Sequence, residues 1–127
     1  MTTTERISAT VHDYLRLLQD GTATELVALF ADNAVLVDPV GSEPKRGEAL
    51  VAHFEQVEAL SMRTRLLALR IAGGEAVAYF EVLTTMGEQE YAASPIDRFT
   101  FAADGRIASL EAYWGPADET PAYDETA

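Results

Sequence analysis

Cysteine is absent from this 127-residue chain, which excludes disulfides, thiolate metal ligands, iron–sulfur ligation and thiol nucleophiles together. Histidine occurs only at His12 and His53, far apart and outside any spaced ligand motif, so no metal site is implied. Basic residues are scarce: 9 Lys and Arg against 21 Asp and Glu leave a net charge of −12. Such a chain repels phosphate backbones and anionic membrane surfaces, so nucleic acid is not an expected partner. No apolar run approaches the roughly 18 residues of a membrane span, and the start MTTTERIS lacks the apolar core of a signal peptide. The expected address is cytoplasmic, and any catalysis must use oxygen acids or histidine.

What is present is enough apolar material, 48% of residues, for the core of one domain. Ile7, Val11, Tyr14, Leu15 and Leu18 recur at helical spacing over residues 4 to 20, ending at Gly21. Thr22 and Glu25 form a capping-box pattern ahead of a short second helix with Leu26, Leu29 and Phe30 on its buried side. Alternation over Ala34–Asp38 predicts a strand that ends at Asp38 before Pro39, and Leu50, Val51, Phe54 and Val57 mark a third helix entered through Gly47. The runs 62–72, 75–86, 89–102 and 106–115 are β-rich and separated by Gly-containing turns, which predicts an antiparallel meander. Helices first and hairpins afterwards give an α+β domain over residues 1–115, with a curved sheet that wraps the helices and encloses a pocket. Leu66-Leu67-Ala68-Leu69 is apolar on both strand faces, as expected if a second copy covers the sheet. Residues 116–127 carry four acids and no base and are expected to form a flexible tail.

Asp97 is the chemically unusual position. Pro95, Asp97, Phe99 and Phe101 share one strand face while Ile96, Arg98 and Thr100 share the other. A carboxyl buried on an aromatic face without a cation stays neutral and can donate a hydrogen bond; an edge strand would instead leave it solvated or paired with Arg98. Taken singly, Tyr14 reads as helix packing, Asp38 as a turn acceptor, and Phe80 and Trp114 as core.

Read together, these residues carry a resemblance. The run Phe30-Ala31-Asp32-Asn33-Ala34-Val35-Leu36-Val37-Asp38-Pro39-Val40-Gly41-Ser42-Glu43-Pro44 resembles the FAD-D-A-x-x-x-DPVGSEP signature of the bacterial Δ5-3-ketosteroid isomerases. Ser94-Pro95-Ile96-Asp97-Arg98-Phe99 is similar to that family's API-D-x-F segment, and Tyr14 falls at its first-helix tyrosine. The resemblance spans about residues 7 to 115 and implies the conical fold of nuclear transport factor 2-like domains, a homodimer and no cofactor. It further implies Asp38 as general base and Tyr14 and Asp97 as oxyanion-hole donors. Phe80, Val82, Phe99, Leu110, Ala112 and Trp114 are the implied lining of an apolar steroid cavity. The implied reaction moves the 5,6 double bond of a 3-oxosteroid into conjugation by proton transfer through a dienolate. The chain departs from the pattern where the family often has a further tyrosine on the third helix. Here it reads His53-Phe54-Glu55, and the segment from Val57 to Leu69 shows little similarity.

Two other functions fit the same scaffold. An epoxide hydrolase or polyketide cyclase would need a different pocket, in the first case an Asp–Arg–Asp arrangement with Arg98 turned inward, against its expected strand face. A noncatalytic hydrophobic-ligand-binding dimer would need only the cavity.

Overall fold

Thr2 opens α1 (Thr3–Asp20) with a capping box, its side chain accepting from the Glu5 N–H while Glu5 reaches back to the Thr2 N–H. Ile7, Val11, Tyr14, Leu15 and Leu17 are the buried stripe. The helix stops at Gly21, where a Cβ would meet the Leu17 carbonyl oxygen at 2.8 Å, closer than any side-chain carbon is tolerated. The Thr22–Glu25 capping box likewise forms at the head of α2 (Ala23–Val27), and Glu58 of α3 (Glu48–Glu58) accepts from the Ala23 N–H. Gly47 begins α3 at φ 52°, a left-handed conformation that glycine adopts without a steric cost.

This computed structural model describes residues 1–116 and Asp118; the expected flexible tail lies almost wholly outside them. The remaining elements are β1 (Phe30–Val37), β2 (Ser61–Ala72), β3 (Glu75–Met86), β4 (Gln89–Ala93), β5 (Ile96–Phe101) and β6 (Ile107–Tyr113). The architecture is the α+β one expected, three helices with a six-stranded sheet in the order β1-β6-β5-β3-β2, β4 pairing separately with β3. No helix among the described residues is long and apolar enough to cross a membrane.

The meander needs three corrections. The run 89–102 is two strands, because Pro95 lacks the N–H a continuous ladder would need: β4 pairs with Val82–Met86 and β5 with Ala76–Tyr79 of the same strand. β1 begins at Phe30 rather than Ala34 and lies parallel to β6, so the sheet is mixed at that edge. Leu67 sits in a β-bulge between Leu66 and Ala68. The bulge shifts the inward positions from Leu66 to Leu69 and Ile71, which pack on the core, and leaves Leu67 outside at 42% exposure. Adjacent leucines there follow from a change of inward register.

α1 lies across β2 and β3, pinned where Thr64 Oγ1 donates to the Leu15 carbonyl at 2.9 Å and the Thr64 N–H donates to Gln19 Oε1 at 3.1 Å. Phe54 of α3 is completely buried and meets Tyr14 and Phe30 at centroid separations of 6.2 and 5.3 Å. Truncation leaves a cavity the aromatic cluster cannot refill. Phe54→Ala is expected to cost about 3 to 5 kcal/mol, lowering Tm in calorimetry by about 10 to 15 °C for a domain of this size.

Candidate active site

Asp38 follows the last residue of β1, whose parallel pairing with β6 runs to Val37 opposite Glu111. That register brings the end of β6 beside it, and Trp114 Nε1 donates to Asp38 Oδ1 at 2.6 Å. The loop after Asp38 is tied back by mutual Leu36–Lys45 backbone bonds of 2.9 and 2.7 Å and by the Val40 N–H on the Ala112 carbonyl at 2.8 Å. Asp38 is therefore anchored on both sides while its side chain keeps 20% exposure and contact with water.

Asp97 has the opposite surroundings. Its neighbours across the sheet are Ala78 on β3 and Ala112 on β6, two buried small residues that leave room above the carboxyl. Asp97 is 2% exposed, and its Oδ1 is buried without a hydrogen-bond partner. Burial, and then the charge of Asp38, push its pKa well above the usual carboxylate range. A neutral acid with an unused hydrogen-bonding position results. Arg98 does not relieve it: on the outer sheet face it donates to Glu75 at 3.0 and 2.7 Å and to Glu111 at 2.6 Å. The inward arginine that an Asp–Arg–Asp site would require is engaged elsewhere.

Tyr14 is held by rings on three sides, edge-on to Phe30, Phe54 and Phe99 at centroid separations of 6.3, 6.2 and 5.6 Å. Such packing fixes the direction of its hydroxyl. Burial first, and then the nearby Asp97 and Asp38, hold the phenol well above its ordinary pKa, so it too stays a neutral donor at physiological pH.

Tyr14, Asp38 and Asp97 line one cavity of about 290 Å³ together with Phe80, Val82, Ala112 and Trp114. Of the residues assigned to its lining from sequence, Phe99 and Leu110 are instead fully buried behind the wall. Phe99 supports the Tyr14 ring, and Leu110 lies between Leu36 and Phe99 in the sheet; strand alternation gives the correct face but not the depth at which the cavity begins. Sequence reasoning missed the wall supplied by α3 and β2, including His53, Val57, Leu60 and Met62. His53 is three positions after Leu50 and four before Val57 on the buried stripe, a spacing that already turns it inward. Among the described residues no group of three or more His, Asp or Glu is placed to hold a metal ion.

Comparison with known proteins agrees with this geometry. Residues 11–110 match the SnoaL-like domain family. The steroid Delta-isomerase of Nocardioides simplex is 41% identical over 113 residues, covering 88% of this chain and 92% of that protein. Among solved structures, the epoxide hydrolase/cyclase-like enzyme SalBIII, described in pyran ring formation in polyether salinomycin, superposes with a TM-score of 0.83 at 22% identity, covering 91% of this chain and 95% of that one. RV0760c from Mycobacterium tuberculosis gives 0.78 at 17% identity, covering 87% and 92%. Those two likenesses establish the fold; the curated relative carries the closer kinship. Two carboxyls in opposite surroundings and a phenol around one apolar cavity, on a scaffold shared over nearly the whole chain with a steroid isomerase, place this chain in the SnoaL-like family, among the steroid delta-isomerases.

Proposed function

We propose that the protein isomerises 3-oxo-Δ5-steroids to their conjugated Δ4 forms. The observation that carries the reading is the pairing of opposite carboxyl environments in one cavity: Asp38 partly solvated and hydrogen-bonded, Asp97 buried with a free oxygen. Ketosteroid isomerases are an established instance of such a separation of carboxyl roles.

In this reading the Asp38 carboxylate takes a proton from C4 of the substrate, and the electron pair of that C–H bond moves toward the 3-keto oxygen to form a dienolate. Tyr14 and protonated Asp97 donate to that oxygen as its negative charge grows. The proton on Asp38 then returns to C6, the double bond ends between C4 and C5, and the carboxylate is regenerated with no atom gained or lost. A carboxylate is a weak base for a carbon acid, so the reaction depends on donors that are already in place and cost no reorganisation. Neutral donors serve better than a cation in an apolar cavity, where an unpaired charge would be costly. The apolar wall of Phe80, Val82, Met62 and Leu60 suits a steroid ring system.

The test is the rise of conjugated-enone absorbance in the ultraviolet when a 5-ene-3-ketosteroid is mixed with purified protein. Steady turnover is expected; a steroid that binds and leaves the absorbance flat would instead favour a hydrophobic-ligand carrier. We also infer a homodimer through the outer sheet face. Tyr79, Ile96 and Tyr113 stand in one row across three strands, with Ile96 and Tyr113 exposed at 43% and 48%, an apolar stripe that a second copy would cover. Sedimentation equilibrium is expected to return twice the chain mass, and Ile96→Lys to return it to the monomer.

A further inference from the structure

The two oxygens of Asp38 are held differently. Oδ1 accepts the 2.6 Å bond from Trp114, which occupies it. Oδ2 lies 3.5 Å from His53 Nε2, with the two side chains only 17% and 20% exposed. His53 is fixed by the α3 backbone and by the ring of Phe54, edge-on at a centroid separation of 5.0 Å. It belongs to the same cavity wall as Asp38, and the mechanism above gives it no part.

Resting on the steroid-isomerase reading, we propose that His53 is a positioning residue for the base: its Nε2–H restrains Asp38 Oδ2, and Oδ2 is the oxygen that carries the proton between the two substrate carbons. Geometry selects the tautomer. An Nε2 lone pair facing a carboxylate oxygen would be repelled, whereas an Nε2–H is attracted, so the proton sits on Nε2. At 3.5 Å the contact is longer than a strong hydrogen bond, so it aims the oxygen without tying it down. That combination suits a base that must serve two carbons in one turnover: Trp114 clamps one oxygen, and the imidazole keeps the other turned toward the cavity.

Ring protonation would alter the pair. The groups facing the imidazole are Asp38, whose charge favours the protonated ring, and Lys45, whose charge opposes it. Burial, reinforced by Lys45, outweighs Asp38 and draws the His53 pKa below its ordinary value. At neutral pH the ring is therefore an uncharged donor. In acid it becomes a cation beside Asp38, and its positive charge lowers the basicity of the carboxylate. The wild-type acid limb of log kcat/KM should thus include a step that belongs to the imidazole.

The experiment measures pH–rate profiles of wild type, His53→Ala and His53→Gln together with NMR titration of the two imidazoles, His12→Gln identifying the His53 signal. His53→Ala is expected to lower kcat about tenfold with KM little changed, and His53→Gln, which keeps an N–H donor, to recover most of the loss. Both variants should lack that step. In the titration His53 should protonate at lower pH than an ordinary imidazole, and lower still in Asp38→Asn, which removes the charge favouring the cation. A His53 titration unmoved by Asp38→Asn overturns the proposal, as does an unchanged acid limb in both His53 variants. A protein that turns over no steroid but shows the titration coupling retains the pair and loses the steroid reading.

Discussion

Asp38→Asn is expected to reduce kcat for steroid isomerisation by about 10⁴, the upper end of what a single general base contributes, with steroid affinity nearly preserved. The amide matches the carboxylate in shape and can still accept from Trp114 Nε1, now at 2.6 Å from Asp38 Oδ1, so the site should keep its form and lose its proton acceptor. Stopped-flow absorbance for the wild type, hand-mixed assays for the variant and equilibrium steroid binding for both give the comparison. A loss below about tenfold would mean that another group removes the proton, since an amide cannot do so at a useful rate. The same substitution removes a negative charge that raises the Asp97 pKa. Asp97 should therefore ionise at somewhat lower pH in the variant than in the wild type.

Asp97 gives the second large effect, and its activity and stability responses have opposite signs. Asp97→Ala removes an oxyanion donor and is expected to lower kcat by about 10² to 10³, or roughly 3 to 4 kcal/mol of barrier. Asp97→Asn keeps a donor and should retain more activity. For stability, the folded-state pKa of Asp97 is raised, so above the unfolded value the native chain binds a proton that the unfolded chain has released. The contribution of this group is fully present below the ordinary aspartate pKa and is lost as pH rises toward the folded value, with a limiting slope of about 1.4 kcal/mol per pH unit. An asparagine does not titrate. Urea unfolding at a series of pH values should show Asp97→Asn gaining on the wild type from about pH 4 upward, with the difference growing toward neutrality. A pH-independent difference would mean that Asp97 is not held protonated by the fold.

Much of this site is legible in one dimension because several of its constraints are local. The segment Asp38-Pro39-Val40-Gly41-Ser42-Glu43-Pro44 is short and specific, and the proposed base stands at its first residue. The aromatic face Pro95–Asp97–Phe99 follows from strand alternation, which is why a lone acid there stands out. Tyr14 is read correctly as part of the α1 stripe, and the three rings that hold it come from α3 and from two strands. The split at Pro95 and the bulge at Leu67 escape the same reasoning, since periodicity reports which face a residue takes and not which partner it pairs with. The α3 wall was missed for a related reason: His53, Val57 and Leu60 share a cavity with strand residues far away in the chain, and helical spacing does not report that neighbour.

The sequence by itself therefore determined the residue chemistry: two carboxyls, a phenol, no thiol, and an alternation that turns Asp97 inward among apolar neighbours. Only the tertiary structure decided the surroundings of each carboxyl, Asp38 part-solvated beside an indole and Asp97 buried. Protonation state depends on solvation and on charges within a few ångströms, and these are set by elements distant in the chain. Trp114 reaches Asp38 through the parallel β1–β6 register, while Ala78 and Ala112 keep Asp97 dry and unpartnered. Identical side chains thus stand in opposite environments, one meeting water and an indole donor and the other neither.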